Sequence, residues 1–280
     1  MPTPPHILLI APEGMLGRAW RRLLEEKGVG SLFVGRPGLD ITDPDSIRKH
    51  ITHGPDIVIN CCAYTDVDGA EEHEAQATAV NGTGVGDLAH ACKDAGALLV
   101  HYSTDYVFNG NANEPYPVDA PIEPVNAYGR SKAVGEQRIR ESGCDHLILR
   151  TSWLYAPWGK NFVNTIAKYA KERDTLKVVN DQRGRPTSCQ HLATMSMKLI
   201  EANARGTFHL TDGGECTWYD FAKKIAAHAN PACTVTPCTS DEYPTPAKRP
   251  SYSVFDLSKT EAITGPMPPW EENLDIVLTG

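Results

Sequence analysis

This 280-residue chain has no apolar run long enough to cross a bilayer; its longest, such as residues 6–10 (HILLI), are strand-sized. The N-terminal MPTPP lacks the charged-then-apolar layout of a secretory signal, so a cytoplasmic chain with no membrane partner is expected. Positive charge is in short supply. Lys and Arg number 27 against 35 Asp and Glu, giving a net charge of −8 with no basic tail, which argues against nucleic acid or an anionic membrane as partner. Cysteine is present but unpatterned: eight residues are scattered, several inside apolar runs, as reduced core thiols would be. Cys61 and Cys62 are adjacent and have no partner pair at zinc spacing, so no metal is expected. Internal repeats and low-complexity tracts are missing as well.

What the chain does have is short apolar runs alternating with helical stretches. Residues 6–10, 31–35 (SLFVG), 56–60 (DIVIN), 97–100 (ALLV) and 146–150 (HLILR) read as buried strands. A helix from about Arg18 to Gly28, a short one capped by Asp43-Pro44, and one running from Asn81 to a stop at Gly96 lie between them. The economical fold is α/β, a doubly wound parallel sheet of Rossmann type. In such sheets ligands bind at the carboxyl ends of the strands.

Residues 11–18 (APEGMLGR) follow the first strand and open the first helix, as a phosphate cradle does: small residues let the backbone approach and free helix N–H groups face the anion. Pro12 lacks an N–H and is expected to hold Ala11 extended; Glu13 adds a carboxylate that Arg18 can offset. Arg36, at the end of the second strand, stands where a basic residue would meet a 2′-phosphate, which leans the cofactor toward NADPH, with NADH also possible.

The centre of the chain is residues 96–137. An apolar strand runs into Ser103-Thr104-Asp105-Tyr106, and after a loop comes Tyr128-Gly129-Arg130-Ser131-Lys132 on an expected helix, 128–140. Spacing by four stacks Tyr128 and Lys132 on one helix face. A free phenol has a pKa of about 10, and an adjacent ammonium would lower it. Tyr128 could then exchange a proton with a carbonyl while Thr104 holds the same oxygen and a nicotinamide supplies hydride. Tyr219 and Lys223 share the spacing, but no hydroxyl-tipped strand precedes them, so they read as one face of an amphipathic helix.

This Ser/Thr, Tyr, Lys arrangement resembles the short-chain dehydrogenase/reductase superfamily. Residues 62–71 (CAYTDVDGAE), 103–108 (STDYVF), 128–132 (YGRSK), 150–155 (RTSWLY), 180–187 (NDQRGRPT) and 249–251 (RPS) narrow the resemblance to the dTDP-4-dehydrorhamnose reductase family over nearly the whole chain. The resemblance implies reduction of the 4-keto group of a nucleotide-linked 6-deoxyhexose. It makes Thr104, Tyr128 and Lys132 catalytic, and puts Asp105, Tyr106 and Trp153 against the sugar nucleotide. Gly14, Met15, Leu16, Asp40, Ile41, Ala63, Tyr64, Thr65 and Tyr102 would line the cofactor. Ala11 stands where such chains usually carry glycine, and Tyr252 where they carry a smaller polar residue. A homodimer is compatible with the resemblance, but the magnesium cluster reported between some relatives is not carried over, because Met15 offers no hard oxygen donor.

The expected domain layout is a dinucleotide-binding domain over residues 1–152 with a returning segment of about 181–212, and a substrate lobe from 153–180 and 213–280. Within that lobe residues 218–229 read as a helix, and the proline-rich 231–250 as a mobile flap followed by irregular structure. Two other readings compete. One is a dehydratase or epimerase, opposed by Tyr106, which takes the place of the glutamate that dehydratases put after Thr-Asp. The other is a non-catalytic NADP-binding subunit resembling the β subunit of methionine adenosyltransferase, opposed by the complete Thr104, Tyr128, Lys132 set.

Overall fold

Six short strands, nearly all apolar, settle the architecture of the computed structural model, which describes residues 5–52 and 54–279. β1 (Ile7–Ile10), β2 (Ser31–Val34), β3 (Ile57–Asn60), β4 (Leu98–Thr104) and β5 (His146–Thr151) form one sheet, with a sixth strand added later in the chain. Every pairing is parallel, in the order β2-β1-β3-β4-β5 from one edge. Continuous apolar runs suit strands covered on both faces. The covering helices are α1 (Met15–Lys27), α2 (Pro44–Ile51), α3 (Gly69–Glu72), α4 (Glu74–Thr78), α5 (Gly84–Ala95) and α6 (Ala127–Ser142). Strand order reverses between β1 and β3, which opens a crevice at their carboxyl ends.

Local signals fix the boundaries. Gly28, Gly96 and Gly143 end α1, α5 and α6 in the left-handed conformation. Asp43 caps α2 from its side chain, ahead of Pro44, and Asn126 caps α6 by accepting from Gly129 N at 2.7 Å. Between α4 and α5 the backbone widens into a π-turn, Ala79–Thr83, which presents the buried Asn81.

The second half leaves the sheet and returns. β6 (Leu154–Tyr155), α7 (Phe162–Glu172), β7 (Thr175–Val179), β8 (Arg183–Gly184) and β9 (Thr187–Ser188) lead into α8 (Cys189–Glu201), which packs on α1. β10 (Gly206–His209) then joins β5 as the sixth strand of the main sheet. After it come β11 (Cys216–Thr217), α9 (Trp218–Ala229), β12 (Thr234–Cys238), α10 (Ser258–Thr264) and α11 (Trp270–Thr279). Phe221, Ile225, Val163, Ile166, Trp270 and Leu274 build a separate small core here.

Two expectations are corrected. Residues 231–250 are no loose flap: β12 pairs in parallel with β7 over five residues, and Lys177–Glu242 and Ser240–Asp181 contacts fasten the segment at 2.7 Å each. Pro237 is tolerated because β12 has one neighbour only, leaving an edge where no N–H is needed. The C-terminal stretch also holds two helices that proline density obscured, since Pro266, Pro268 and Pro269 lie between α10 and α11 rather than inside them.

Candidate active site

Thr104 is the last residue of β4, where the backbone turns into a single 3-10 turn at Asp105–Val107. Its hydroxyl accepts from Tyr106 N at 3.1 Å and donates to Asp105 Oδ1 at 3.1 Å. The amino end of α6 packs directly on this turn. Gly129 makes that possible, because a Cβ there would sit 2.1 Å from the Tyr106 carbonyl oxygen. Tyr128 is thereby brought edge-on to Tyr106, ring centroids 6.0 Å apart. Burial pushes the Tyr128 phenol above its usual range, the Asp105 charge adds to this, and the Thr104 hydroxyl pulls the other way. Asp105 is itself pushed up to about 6 by burial, and its Oδ2 has no partner.

Lys132 follows one turn later and is 2% exposed. Its side-chain nitrogen does not lean on the phenol, contrary to the expectation from the spacing. Nζ lies 2.6 Å from the Tyr102 carbonyl oxygen and 3.2 Å from His101 Nε2. Burial lowers Lys132 to about 8, with Glu136 opposing. The expected depression of the Tyr128 pKa is therefore missing in this arrangement: Lys132 engages β4, and desolvation keeps the phenol protonated.

Along the crevice, α1 starts at Gly14 with no side-chain cap and no acidic residue in its first turn, so N–H groups at Met15 and Leu16 remain free for an anion. Gly17 permits the tight strand-to-helix return, since a Cβ there would meet the Ala11 carbonyl oxygen at 2.0 Å. Ala11 is not extended but left-handed, φ 61°, because the turn returns its carbonyl to accept from Gly14 N at 3.2 Å. Glu13 is engaged by Arg21 at 3.6 Å, rather than by Arg18, which reaches only the Glu13 carbonyl. Arg36 is exposed at the end of β2 and 3.8 Å from Asp40, whose carboxylate also accepts from Thr42 N and Oγ1 and so lies below its ordinary range.

Ala63, Tyr64 and Thr65 form the loop beyond β3, and Asn81 fixes it, accepting from Tyr64 N and donating to Tyr64 O. Two expected cofactor residues turn their side chains elsewhere. Ile41 is core, and the Tyr102 hydroxyl is tied to Trp20 Nε1 and Ser196 Oγ on the α1/α8 face of the sheet. From Tyr102 only the carbonyl reaches the site. Residues 5–280 match the model of the RmlD substrate binding domain family. A dTDP-4-dehydrorhamnose reductase of Streptomyces griseus is 41% identical, over 92% of this chain and 88% of its own.

The chain belongs to this family. The crystal structure of another reductase of the family, from Bacillus anthracis str. Ames in complex with NADP, superposes with a TM-score of 0.95 at 37% identity, over 99% of each chain. A dTDP-4-keto-6-deoxy-D-glucose reductase of Streptomyces niveus is 40% identical, over 89% of this chain and 87% of its own.

Trp153, at φ 49°, stacks on Trp218 with centroids 3.6 Å apart, and Gly184 leaves room beside its indole. Arg249 grips Asp68 bidentately at 3.0 and 2.9 Å, joining the C-terminal segment to the loop after β3. By contrast, Lys223 merely lies 5.3 Å over the ring of Tyr219 on α9. Sequence reasoning missed Asn60, Asn81, His101 and Trp218. A polar Asn or His inside an otherwise apolar strand was the available signal for two of them, since a buried polar side chain needs a partner.

Proposed function

We propose that this chain reduces the 4-keto group of dTDP-4-dehydro-L-rhamnose to give dTDP-L-rhamnose, with NADPH as hydride donor. One observation carries the reading: Thr104 and Tyr128 converge at the carboxyl end of β4, beside the crevice between β1 and β3. The free N–H groups of α1, the loop 63–65 and the exposed Arg36 suit a dinucleotide bearing a 2′-phosphate. When bound, NADPH supplies the hydride and Arg36 would face its phosphate.

The chain's own groups handle the oxygen. Thr104 Oγ1 and Tyr128 Oη would both donate to the keto oxygen, and the phenol passes its proton on as the carbonyl carbon is reduced. A phenol kept protonated by burial holds the proton that reduction consumes. Lys132, as an ammonium, would then compensate the phenolate until solvent returns a proton. Tyr106, Asp105 and Trp153 would contact the sugar nucleotide, and residues 153–180 with 213–280 act as the substrate lobe against a dinucleotide domain of 1–152 and about 181–212. A cytoplasmic location, the compartment that supplies NADPH, goes with this reading. Assembly as a homodimer is carried from the same resemblance, and a measurement of the mass in solution would test it.

The test is to mix purified protein with NADPH, then NADH, and dTDP-4-keto-6-deoxy-L-mannose, and to follow absorbance at the reduced nicotinamide band. Consumption with NADPH favoured is the expected result. No consumption with either coenzyme, in a folded protein that binds NADP, would turn the reading toward a non-catalytic subunit.

A further inference from the structure

Behind the site a chain of four polar groups runs through the sheet: Cys62 N, the Asn60 side chain, the His101 ring and Lys132 Nζ. Asn60 and His101 lie side by side on β3 and β4, and both are buried. Cys62 N donates to Asn60 Oδ1 at 3.0 Å, which identifies that atom as the amide oxygen and turns Nδ2 toward His101. Nδ2 lies 3.2 Å from His101 Nδ1 and has only hydrogens to offer, so Nδ1 accepts. A neutral imidazole that accepts at Nδ1 carries its proton on Nε2. Burial holds His101 neutral, well below its ordinary pKa, and a charge on Lys132 would lower it further.

The Nε2–H thus points at Lys132 Nζ, 3.2 Å away. An amine has a lone pair to receive it; an ammonium does not, and would set N–H against N–H. An amine hydrogen donates to the Tyr102 carbonyl oxygen at 2.6 Å. An ammonium is satisfied only if His101 moves its proton to Nδ1. That sets Nδ1–H against Asn60 Nδ2, and turning the Asn60 amide to relieve it strips Cys62 N of its acceptor. The proton on Lys132 is therefore linked to the loop that starts at Cys62 on the cofactor crevice.

We propose that His101 is a positioning residue which, locked as the Nε2–H tautomer by Asn60, favours the neutral amine of Lys132 in the coenzyme-free protein, so that loading the crevice at pH 9 takes up about one proton at Lys132. The uptake rests on the reductase reading, in which Lys132 works as an ammonium. The titratable groups facing Lys132 are Glu136 on its own helix, Cys62 beyond β3 and His101 on β4; Glu136 is neutralised by Arg150 at 2.8 Å and Arg140 at 3.2 Å.

Two NMR titrations of the full-length coenzyme-free protein test it. In protein labelled with 15N-histidine, His101 should show a bare Nδ1 and a protonated Nε2 at pH 9, where Lys132 is the amine, and should lose that tautomer as the pH falls through the Lys132 midpoint. In protein labelled with 13C-lysine, the Lys132 Cε resonance should titrate near 8, as the structure has it, rather than at the ordinary 10.4 or so. Asn60→Asp, which still accepts from Cys62 N but also demands a proton from His101, should reverse the tautomer and raise the Lys132 midpoint by at least about one pH unit, a tenfold gain in proton affinity. His101→Gln should raise the midpoint likewise; if it does not fold, Asn60→Asp carries the test. Calorimetry of NADP binding at pH 9 in buffers of different ionisation heat should show about one proton taken up by the parent and half a proton or less by Asn60→Asp, as a midpoint of about 9 or above requires.

An Nδ1–H tautomer in the parent protein at pH 9, or a Lys132 midpoint unmoved by the folded variants, overturns the proposal. Neither titration needs turnover. An inactive protein that passes both removes the reductase reading alone, and an active one that fails them removes this inference alone.

Discussion

Arg150 of β5 lays its guanidinium along the Glu136 carboxylate of α6, Nε to Oε1 at 2.9 Å and Nη2 to Oε2 at 2.8 Å, with both side chains buried. Burial works against the Glu136 charge, and the Arg150 contacts overcome it to hold the carboxyl below its usual range. Arg150 also reaches the Val118 carbonyl at 2.8 Å. The pair fastens the helix bearing Tyr128 and Lys132 to the sheet bearing Thr104. Removing one member leaves the other charge buried, so Glu136→Gln is expected to cost about 3–5 kcal/mol in urea unfolding. A loss under about 1 kcal/mol, the scale of an exposed pair, would contradict this.

Asp105 gives a pH dependence of stability. Its carboxyl, pushed up from 3.8 to about 6 by burial, binds more protons in the folded chain than in the unfolded one between those values. Stability is therefore lost as pH rises from about 4 to 6, and the penalty is full above 6. Asp105→Asn should stabilise the protein at pH 7.5 by up to roughly 3 kcal/mol, at 1.36 kcal/mol per unit, while lowering activity. The gain should vanish near pH 4. Equal gains at both pH values would show that the carboxyl is not strained by burial.

The Arg249–Asp68 grip is partly exposed, so its worth in stability is about 1 kcal/mol. Its larger effect should fall on substrate. Asp68→Ala is expected to raise the KM for the sugar nucleotide by about fivefold, near 1 kcal/mol, with coenzyme affinity unchanged. Loss of coenzyme affinity instead would assign this contact to the cofactor crevice.

Arg36 is free enough to meet a phosphate. Arg36→Ser should raise the KM for NADPH about tenfold, or 1.4 kcal/mol, and leave that for NADH within about twofold. Equal effects on both coenzymes would assign the arginine to folding of the β2 end.

Legibility followed the range of the interactions. The parallel sheet, the glycine stops at 28 and 96 and the bounds of α9 are local events, and apolar runs and capping residues spell them out. The strand-tip threonine and the Tyr128–Lys132 helix were readable for the same reason. Where a side chain points across the sheet was not. Tyr102 and Thr104 lie on one side of β4 and His101 and Ser103 on the other, so a list of residues near the site mixes side chains that enter it with one that leaves it. Lys132's engagement with Tyr102 and His101 depends on α6 packing on β4, about thirty residues away, and the Asn60–His101 contact behind it on pairing between β3 and β4, forty-one residues apart. Ala11 took a left-handed turn that its following proline disfavours, because the return of α1 onto β1 leaves no other path.

The central claim is that the Tyr128 hydroxyl supplies the proton, and it is tested most directly by the rate of NADPH oxidation with saturating dTDP-4-keto-6-deoxy-L-mannose in Tyr128→Phe. A loss of about 10²- to 10⁴-fold in kcat, with urea unfolding and NADP affinity as in the parent, is the predicted result. A variant that turns over within about threefold of the parent, on the same criterion of proton transfer, would contradict the account.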